Sequence, residues 1–139
     1  MEALYKALFA IFSLLIAGSD IKTGAVPRIA FLISFPFFFI LKSFLPEENS
    51  FLDSFAGAFI GLSIFLIAFA ISGKKMGLAD VWYSALIGLV LGPWWWYAAT
   101  GSACLSGMIY LLVSKKRKIP FIPLMAVCSV AISIIKVWQ

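Results

Sequence analysis

The chain has 139 residues, of which 63% are hydrophobic and only 12% are charged. A soluble domain carries about 25% charged residues, so this composition excludes an ordinary soluble protein and predicts an integral membrane protein. The net charge of +5 does not indicate nucleic-acid binding, because the basic residues cluster in short segments between apolar stretches. That distribution is typical of charges that set membrane topology.

Six apolar segments approach the length of about 20 residues that a bilayer core requires. They predict an all-α, polytopic membrane protein with six transmembrane helices. The first segment begins after acidic Glu2 and lacks both a basic n-region and a cleavage site, which favours a retained helix over a signal peptide. The expected spans are residues 3–19, 29–45, 54–72, 78–93, 94–113 and 120–138.

The loop charges predict the orientation. Eight basic residues fall on one side of the membrane, and the positive-inside rule places that side in the cytoplasm and both termini outside it. The opposite side has three lysines together with most of the acidic residues. The expected cytoplasmic loops hold Lys22, Arg28, Lys74, Lys75, Lys115, Lys116, Arg117 and Lys118, and the other side holds Lys6, Lys42, Lys136, Glu2, Glu47, Glu48 and Asp53.

Small and aromatic residues predict how the helices pack. Gly57 and Gly61 form a GxxxG pair in the third helix, which permits close backbone approach. In the fourth helix, Asp80 and three small residues recur at every fourth position and so share one face. Gly92-Pro93 is expected to end this helix, and the aromatic residues that follow suit the headgroup boundary. The fourth-helix stripe is Asp80, Ser84, Gly88 and Gly92, and the aromatic cluster is Trp94, Trp95, Trp96 and Tyr97.

Two of the six acidic residues, Asp20 and Asp80, lie at the ends of apolar stretches. Asp20 is expected to follow the first helix and Asp80 to open the fourth, which puts both at the cytoplasmic face. An ionisable group in a membrane segment is costly and needs a reason. Neighbouring carboxyl groups cannot both ionise easily, so one can activate water while the other polarises a peptide carbonyl. From the residues alone, a catalytic pair, an ion-coupling pair of a transporter and structural helix caps all stay open.

The remaining residue types exclude several other chemistries. The chain has no histidine, so a Ser-His-Asp triad is impossible. Cys104 and Cys128 lie inside apolar segments without a CxxC spacing, which favours packing roles over a zinc site or a disulfide. The sequence therefore predicts neither a metal nor a cofactor.

Three local sequences resemble the type IV prepilin peptidases, a family of GxGD-type membrane aspartic proteases. Residues 75–81, Lys-Met-Gly-Leu-Ala-Asp-Val, are similar to the GxGD motif, and residues 20–27 resemble the motif in which an aspartate is followed seven residues later by proline. Residues 119–126 are similar to the IPFxP string that begins the last helix of the family. The resemblance covers nearly the whole chain, and it implies that residues 1–139 form a single membrane-embedded peptidase domain.

The resemblance implies that Asp20 and Asp80 are the catalytic residues and that Gly77, Ala79 and Pro27 support the site. The substrate would be a prepilin or pseudopilin precursor of a type IV pilus or secretion system. Its short basic leader would be cleaved at the cytoplasmic face of the inner membrane. The cysteine-rich loop associated with N-methylation in larger members is not present. The other expected partner is membrane lipid, with no nucleic acid, and the oligomeric state is not predicted.

The sequence departs from the family pattern around the second aspartate. Ala79 stands where the motif has glycine, Trp82 where the family usually has lysine, and Arg28 where asparagine often follows the proline. These changes keep open a catalytically altered or inactive assembly factor with the peptidase fold, beside the small ion-coupled transporter.

Overall fold

The computed structural model describes residues 2–45, 50–73, 76–114 and 121–139 and folds them into six α-helices. Each helix overlaps one expected span. The basic and acidic loop residues used for the topology prediction lie partly outside the described residues, as does the start of the IPFxP string; these are Glu47, Glu48, Lys74, Lys75, 115–118 and 119–120. The helices are α1 (Glu2–Thr23), α2 (Arg28–Ser43), α3 (Phe51–Ile71), α4 (Leu78–Leu91), α5 (Pro93–Ser114) and α6 (Phe121–Trp138).

Four of the helices, α1, α3, α5 and α6, are long and apolar enough to cross a membrane. The shorter helices, α2 and α4, have 16 and 14 residues. At a rise of 1.5 Å per residue, α4 extends about 21 Å. The helical architecture and its apolar surfaces agree with the expected membrane protein.

The short helix α4 lies at the centre of the bundle. It packs against α2, α3, α5 and α6, and all but three of its 14 residues are buried. A helix that is apolar on every side is stable only when other helices surround it. Asp80 is therefore carried by the most enclosed helix of the protein.

The expected small-residue stripe forms the interface between α3 and α4. A methyl group added at Gly57 would meet the carbonyl group of Gly88, and one added at Gly61 would lie 2.7 Å from the carbonyl oxygen of Ser84. The backbones of α3 and α4 are thus in contact at two positions, Gly57 with Gly88 and Gly61 with Ser84. Gly92, with φ of 81°, ends α4 and separates it from α5, as the sequence predicts.

One member of the aromatic cluster has a different role from the one expected. Trp96 is buried, and its indole N–H donates to the Ser84 carbonyl at 3.1 Å and approaches the Ser84 hydroxyl at 3.0 Å. The reason is that Trp96 follows the turn at Gly92, which directs it back onto α3 and α4. Trp94, by contrast, is exposed as expected.

The helix α2 is attached mainly through aromatic rings. Phe38 packs edge-on against Tyr5, Phe9 and Phe12 of α1, with ring centroids 5.7, 6.0 and 5.8 Å apart. Phe35 packs in the same way against Trp82 of α4 at 5.9 Å. These bulky contacts hold α2 at a greater distance from its neighbours than the glycines hold α3 from α4.

Candidate active site

Asp80 occupies the first turn of α4, and the backbone around it is fixed by Gly77. Gly77 is the N-cap residue and has no side chain to cap the helix. The Asp80 N–H donates to the Gly77 carbonyl oxygen at 3.1 Å, while the Gly77 backbone hydrogen-bonds to the Asp80 carboxyl group. The carboxyl group thus reaches back to the N-cap, as an acidic residue three positions into a helix commonly does. Only 8% of Asp80 is exposed.

The glycine at position 77 leaves room for this carboxyl group. A methyl group added there would lie 3.1 Å from Asp80 Oδ2, closer than an ordinary contact. The motif position before the aspartate, Ala79, is partly buried and packs against the hydrophobic core. Gly77 and Ala79, the two expected supporting residues at the start of α4, therefore lie next to Asp80. Gly77 makes the closer approach to the Asp80 carboxylate.

Asp20 lies inside α1, not after it as the sequence suggested. The helix extends four residues beyond its expected end, to Thr23. Gly24, with φ of 64°, donates its N–H to the Asp20 carbonyl oxygen at 2.8 Å and ends the helix in the left-handed conformation. The Thr23 hydroxyl donates to the Ser19 carbonyl oxygen, also at 2.8 Å. Asp20 thus projects from an ordered last turn.

The third motif residue, Pro27, is the N-cap of α2, in agreement with the expectation that it opens this helix. Its carbonyl oxygen accepts the N–H of Ala30 at 3.0 Å. The Thr23 hydroxyl is also 2.8 Å from the Ala25 carbonyl oxygen within the connection from α1. Pro27 therefore fixes where the chain leaves the Asp20 turn and begins α2.

The fold brings Asp20 and Asp80 close enough for the charge of Asp20 to act on Asp80. The two parent helices, α1 and α4, do not pack backbone to backbone as α3 and α4 do. Two interacting carboxyl groups lose their protons in two steps that belong to the pair. Such a pair can hold one proton and one negative charge together, which is the requirement for concerted acid and base chemistry.

A buried polar cluster that the sequence did not predict lies one helical turn beyond Asp80. The hydroxyl of fully buried Tyr83 is 3.5 Å from Ser129 Oγ of α6. Ser13 of α1 also lies near Tyr83, although its hydroxyl has no hydrogen bond of standard geometry among the described residues. Ser13 stands seven residues before Asp20 and so shares its helical face, and this spacing is the one signal in the sequence that could have pointed to the cluster.

A comparison with known protein families identifies the family of this chain. The chain matches the type IV leader peptidase family over residues 7–112, about three-quarters of its length. The chain therefore belongs to the type IV leader peptidase family. The matched region includes Asp20, Asp80 and their flanking motifs, and it ends before the IPFxP string. Searches of curated proteins and of solved structures give no match.

Membership of the type IV leader peptidase family confirms the resemblance found in the sequence and indicates a peptidase of the prepilin type. A family of this kind needs groups that can activate water or attack a peptide directly. Among the residues that the structure describes, no cluster of three metal-ligating side chains is found.

Proposed function

We propose that this protein is a membrane aspartic endopeptidase in which Asp20 and Asp80 share the acid and base roles. The observation that carries the proposal is the electrostatic interaction between the buried Asp80 carboxyl group and Asp20. The carboxyl groups come from two helices that the family match includes. The family match and this interaction together favour a working pair of acids over two separate structural helix caps.

In the proposed reaction, the ionised carboxylate takes a proton from a water molecule as the water attacks the peptide carbonyl carbon. The protonated carboxyl group donates to the carbonyl oxygen, which becomes the hydroxyl of a tetrahedral diol. As the diol collapses, the C–N bond breaks and the leaving amine gains a proton from the pair. Because the two acids titrate together, they are described as one unit.

The proposed substrate is a prepilin or pseudopilin precursor, whose short basic leader is removed at the cytoplasmic face of the inner membrane. The family match supports the substrate class. The orientation is supported by two basic residues beside the site: Lys22 in the last turn of α1 and Arg28, which begins α2. In this orientation both chain termini face the non-cytoplasmic side.

The space for the substrate is proposed to lie between α1 and α4. These helices carry the two acids but are not in close backbone contact. A peptide segment held there would have a carboxyl group on each side, as the reaction requires. The same separation would let the apolar part of the precursor remain among the helices while its leader reaches the cytoplasmic face.

The experiment is leader removal by the purified protein and a purified prepilin precursor, both reconstituted in liposomes. We expect Asp20→Asn and Asp80→Asn each to lower the cleavage rate by at least ~100-fold, because each removes one half of the acid–base pair. Asp53→Asn is the matched control, since Asp53 is exposed in the first turn of α3, and it should cleave normally.

Thermal unfolding of each variant in detergent distinguishes a loss of chemistry from a loss of folding. The paired-acid mechanism would be wrong if either asparagine variant were folded and retained substantial cleavage. Ion flux through liposomes that depends on Asp80, without cleavage, would favour the transporter alternative.

A further inference from the structure

A groove between α2 and α4 is not used by the proposed reaction. Its volume is about 540 Å³, within the ~300–1,000 Å³ range of pockets that hold small ligands. Apolar side chains form its walls, among them Phe31 and Phe35 of α2 and Trp82 of α4. Its lining contains one charged residue, Arg28.

Arg28 makes one end of this groove electropositive. It is the first residue of α2, whose first turn has no acidic residue and whose N-cap, Pro27, provides no side-chain hydrogen bond. Arg28 is exposed, and the described residues offer it no ion pair. The first backbone N–H groups of a helix and an adjacent guanidinium group both favour an anion.

The groove lies on the side of α4 that points away from the acid pair. Leu78 and Trp82 line it, and each is two residues from Asp80, which corresponds to a rotation of about 200° around the helix. Trp82 is 42% exposed, whereas Asp80 is 8% exposed. The groove therefore opens toward the outer surface of the bundle, where a membrane protein meets lipid.

We propose that this groove is a binding site for one anionic membrane phospholipid. Arg28 and the first turn of α2 hold the phosphate group, and an acyl chain lies along Phe31, Phe35 and Trp82. From Arg28 to Pro36, α2 rises about 12 Å, so the charged end and the apolar walls are spaced like a headgroup and the upper part of an acyl chain. The inference does not rest on the peptidase function.

A peptide fits this groove less well than a lipid. An extended segment would bring peptide N–H and C=O groups against apolar walls that offer no partners, which is costly in a membrane. A basic leader would also be repelled by Arg28, whereas a phosphate would be attracted.

Trp82 supplies a direct probe of this site. The full-length protein is placed in phosphatidylcholine nanodiscs that contain increasing fractions of brominated phosphatidylglycerol or brominated phosphatidylcholine, and tryptophan quenching is measured. The difference between the wild type and Trp82→Phe isolates the signal of Trp82. We expect half-maximal quenching at about fivefold less phosphatidylglycerol than phosphatidylcholine, the selectivity that one basic residue gives at an anionic surface.

Charge variants test whether Arg28 itself provides the selectivity. Arg28→Gln should remove the difference between the two lipids, and Arg28→Lys should keep most of it. Lys22→Gln is the matched control, because it removes one exposed positive charge from the neighbouring end of α1 without touching the groove, and it should keep the full difference. If Trp82→Phe does not fold, native mass spectrometry of the wild type and Arg28→Gln counts the bound phosphatidylglycerol instead.

Three results would overturn the inference. The two brominated lipids could quench Trp82 equally, or Lys22→Gln could lose as much selectivity as Arg28→Gln, which would indicate only a diffuse surface charge. Alternatively, an added precursor protein could displace the quenching lipid from Trp82, which would assign the groove to the peptide. Asp20→Asn and Asp80→Asn should leave the lipid preference unchanged, so failure of the proposed function would not affect this result.

Discussion

Two parts of the α4 surface are packed in different ways. Toward α3, glycines at positions 57, 61 and 88 bring the two backbones into direct contact. Toward α1, the backbones stay apart, and the approach is made by side chains: the Asp20–Asp80 pair at one level and Tyr83 near Ser13 at the next. One part of the α4 surface is thus a backbone-to-backbone interface, and another approaches its neighbour through side chains.

This difference explains how a costly acid can be held in an apolar bundle. The contact with α3 leaves α4 little freedom to shift, so Asp80 has a defined position. On the side toward α1, the charge of Asp20 acts on the Asp80 carboxyl group. Two groups that act together on a bound substrate need defined positions.

The α3–α4 interface should be disrupted most severely by a substitution at Gly88. In Gly88→Ala, the added methyl group would meet the carbonyl group of Gly57, and backbone atoms cannot move aside as a flexible side chain can. We expect destabilisation of roughly 3 kcal/mol, at the upper end of the cost of overpacking, together with loss of leader cleavage. Thermal unfolding in detergent measures the change.

Gly101→Ala is the matched control for that substitution. Gly101 lies in α5, is exposed and has open space around it, so alanine should be neutral or should stabilise the helix by up to ~1 kcal/mol. If Gly88→Ala unfolded at the same temperature as Gly101→Ala, the close α3–α4 contact would not be a source of stability.

The part of α4 that carries Asp80 is tested by a substitution that displaces the Asp80 carboxyl group without removing it. In Gly77→Ala, the new methyl group would lie 3.1 Å from Asp80 Oδ2, so the carboxyl group must shift by a few tenths of an ångström. We expect cleavage to slow by about tenfold, because small displacements of reacting groups are expensive, with little change in thermal stability. The initial rate of leader removal in liposomes measures the effect.

Gly18→Ala provides the comparison on the other acid-bearing helix, since Gly18 is two residues from Asp20 but its surroundings are open. This variant should cleave at the normal rate. Equal rates for Gly77→Ala and the wild type would mean that the Asp80 carboxyl group has no fixed position in the active protein.

The sequence was sufficient to locate the helices and their close-packing residues. Apolar length located all six helices, and the fourfold spacing of Asp80, Ser84, Gly88 and Gly92 identified a packing face of α4, although it did not show that α3 is the partner. These features could be predicted because they depend on local periodicity and on the small size of glycine. The motif resemblance singled out Asp20 and Asp80, and their catalytic role stays a prediction.

The features that escaped prediction depend on contacts between distant segments. The polar string after Asp20 resembled a loop, but Thr23 and Gly24 close the helix only after it has passed Asp20. Trp96 was expected at the headgroup boundary because its partner, Ser84, is remote in sequence. For the same reason, no pattern in α6 linked Ser129 to Tyr83. Side-chain partners across helices are set by packing and not by local propensity.

The smallest predicted effect concerns the side-chain contact that joins α4 to α6 near the acid pair. Tyr83→Phe removes the hydroxyl that lies 3.5 Å from Ser129 Oγ but keeps the buried ring. Hydrogen bonds between membrane helices contribute about 0.6 kcal/mol on average, and the distance here is long. We therefore expect a loss of stability of roughly 0.5 kcal/mol, measured by unfolding in detergent.

A double-mutant cycle with Ser129→Ala determines whether this loss comes from the pair. Ser129 also donates to the Ala126 carbonyl oxygen at 3.1 Å, so its own replacement has a separate cost that the cycle removes. Tyr97→Phe, at a half-exposed tyrosine, should have no effect. If the Tyr83→Phe and Ser129→Ala losses were additive, the hydroxyl groups would not be coupled, and packing of the Tyr83 ring alone would account for the spacing of α4 at this level.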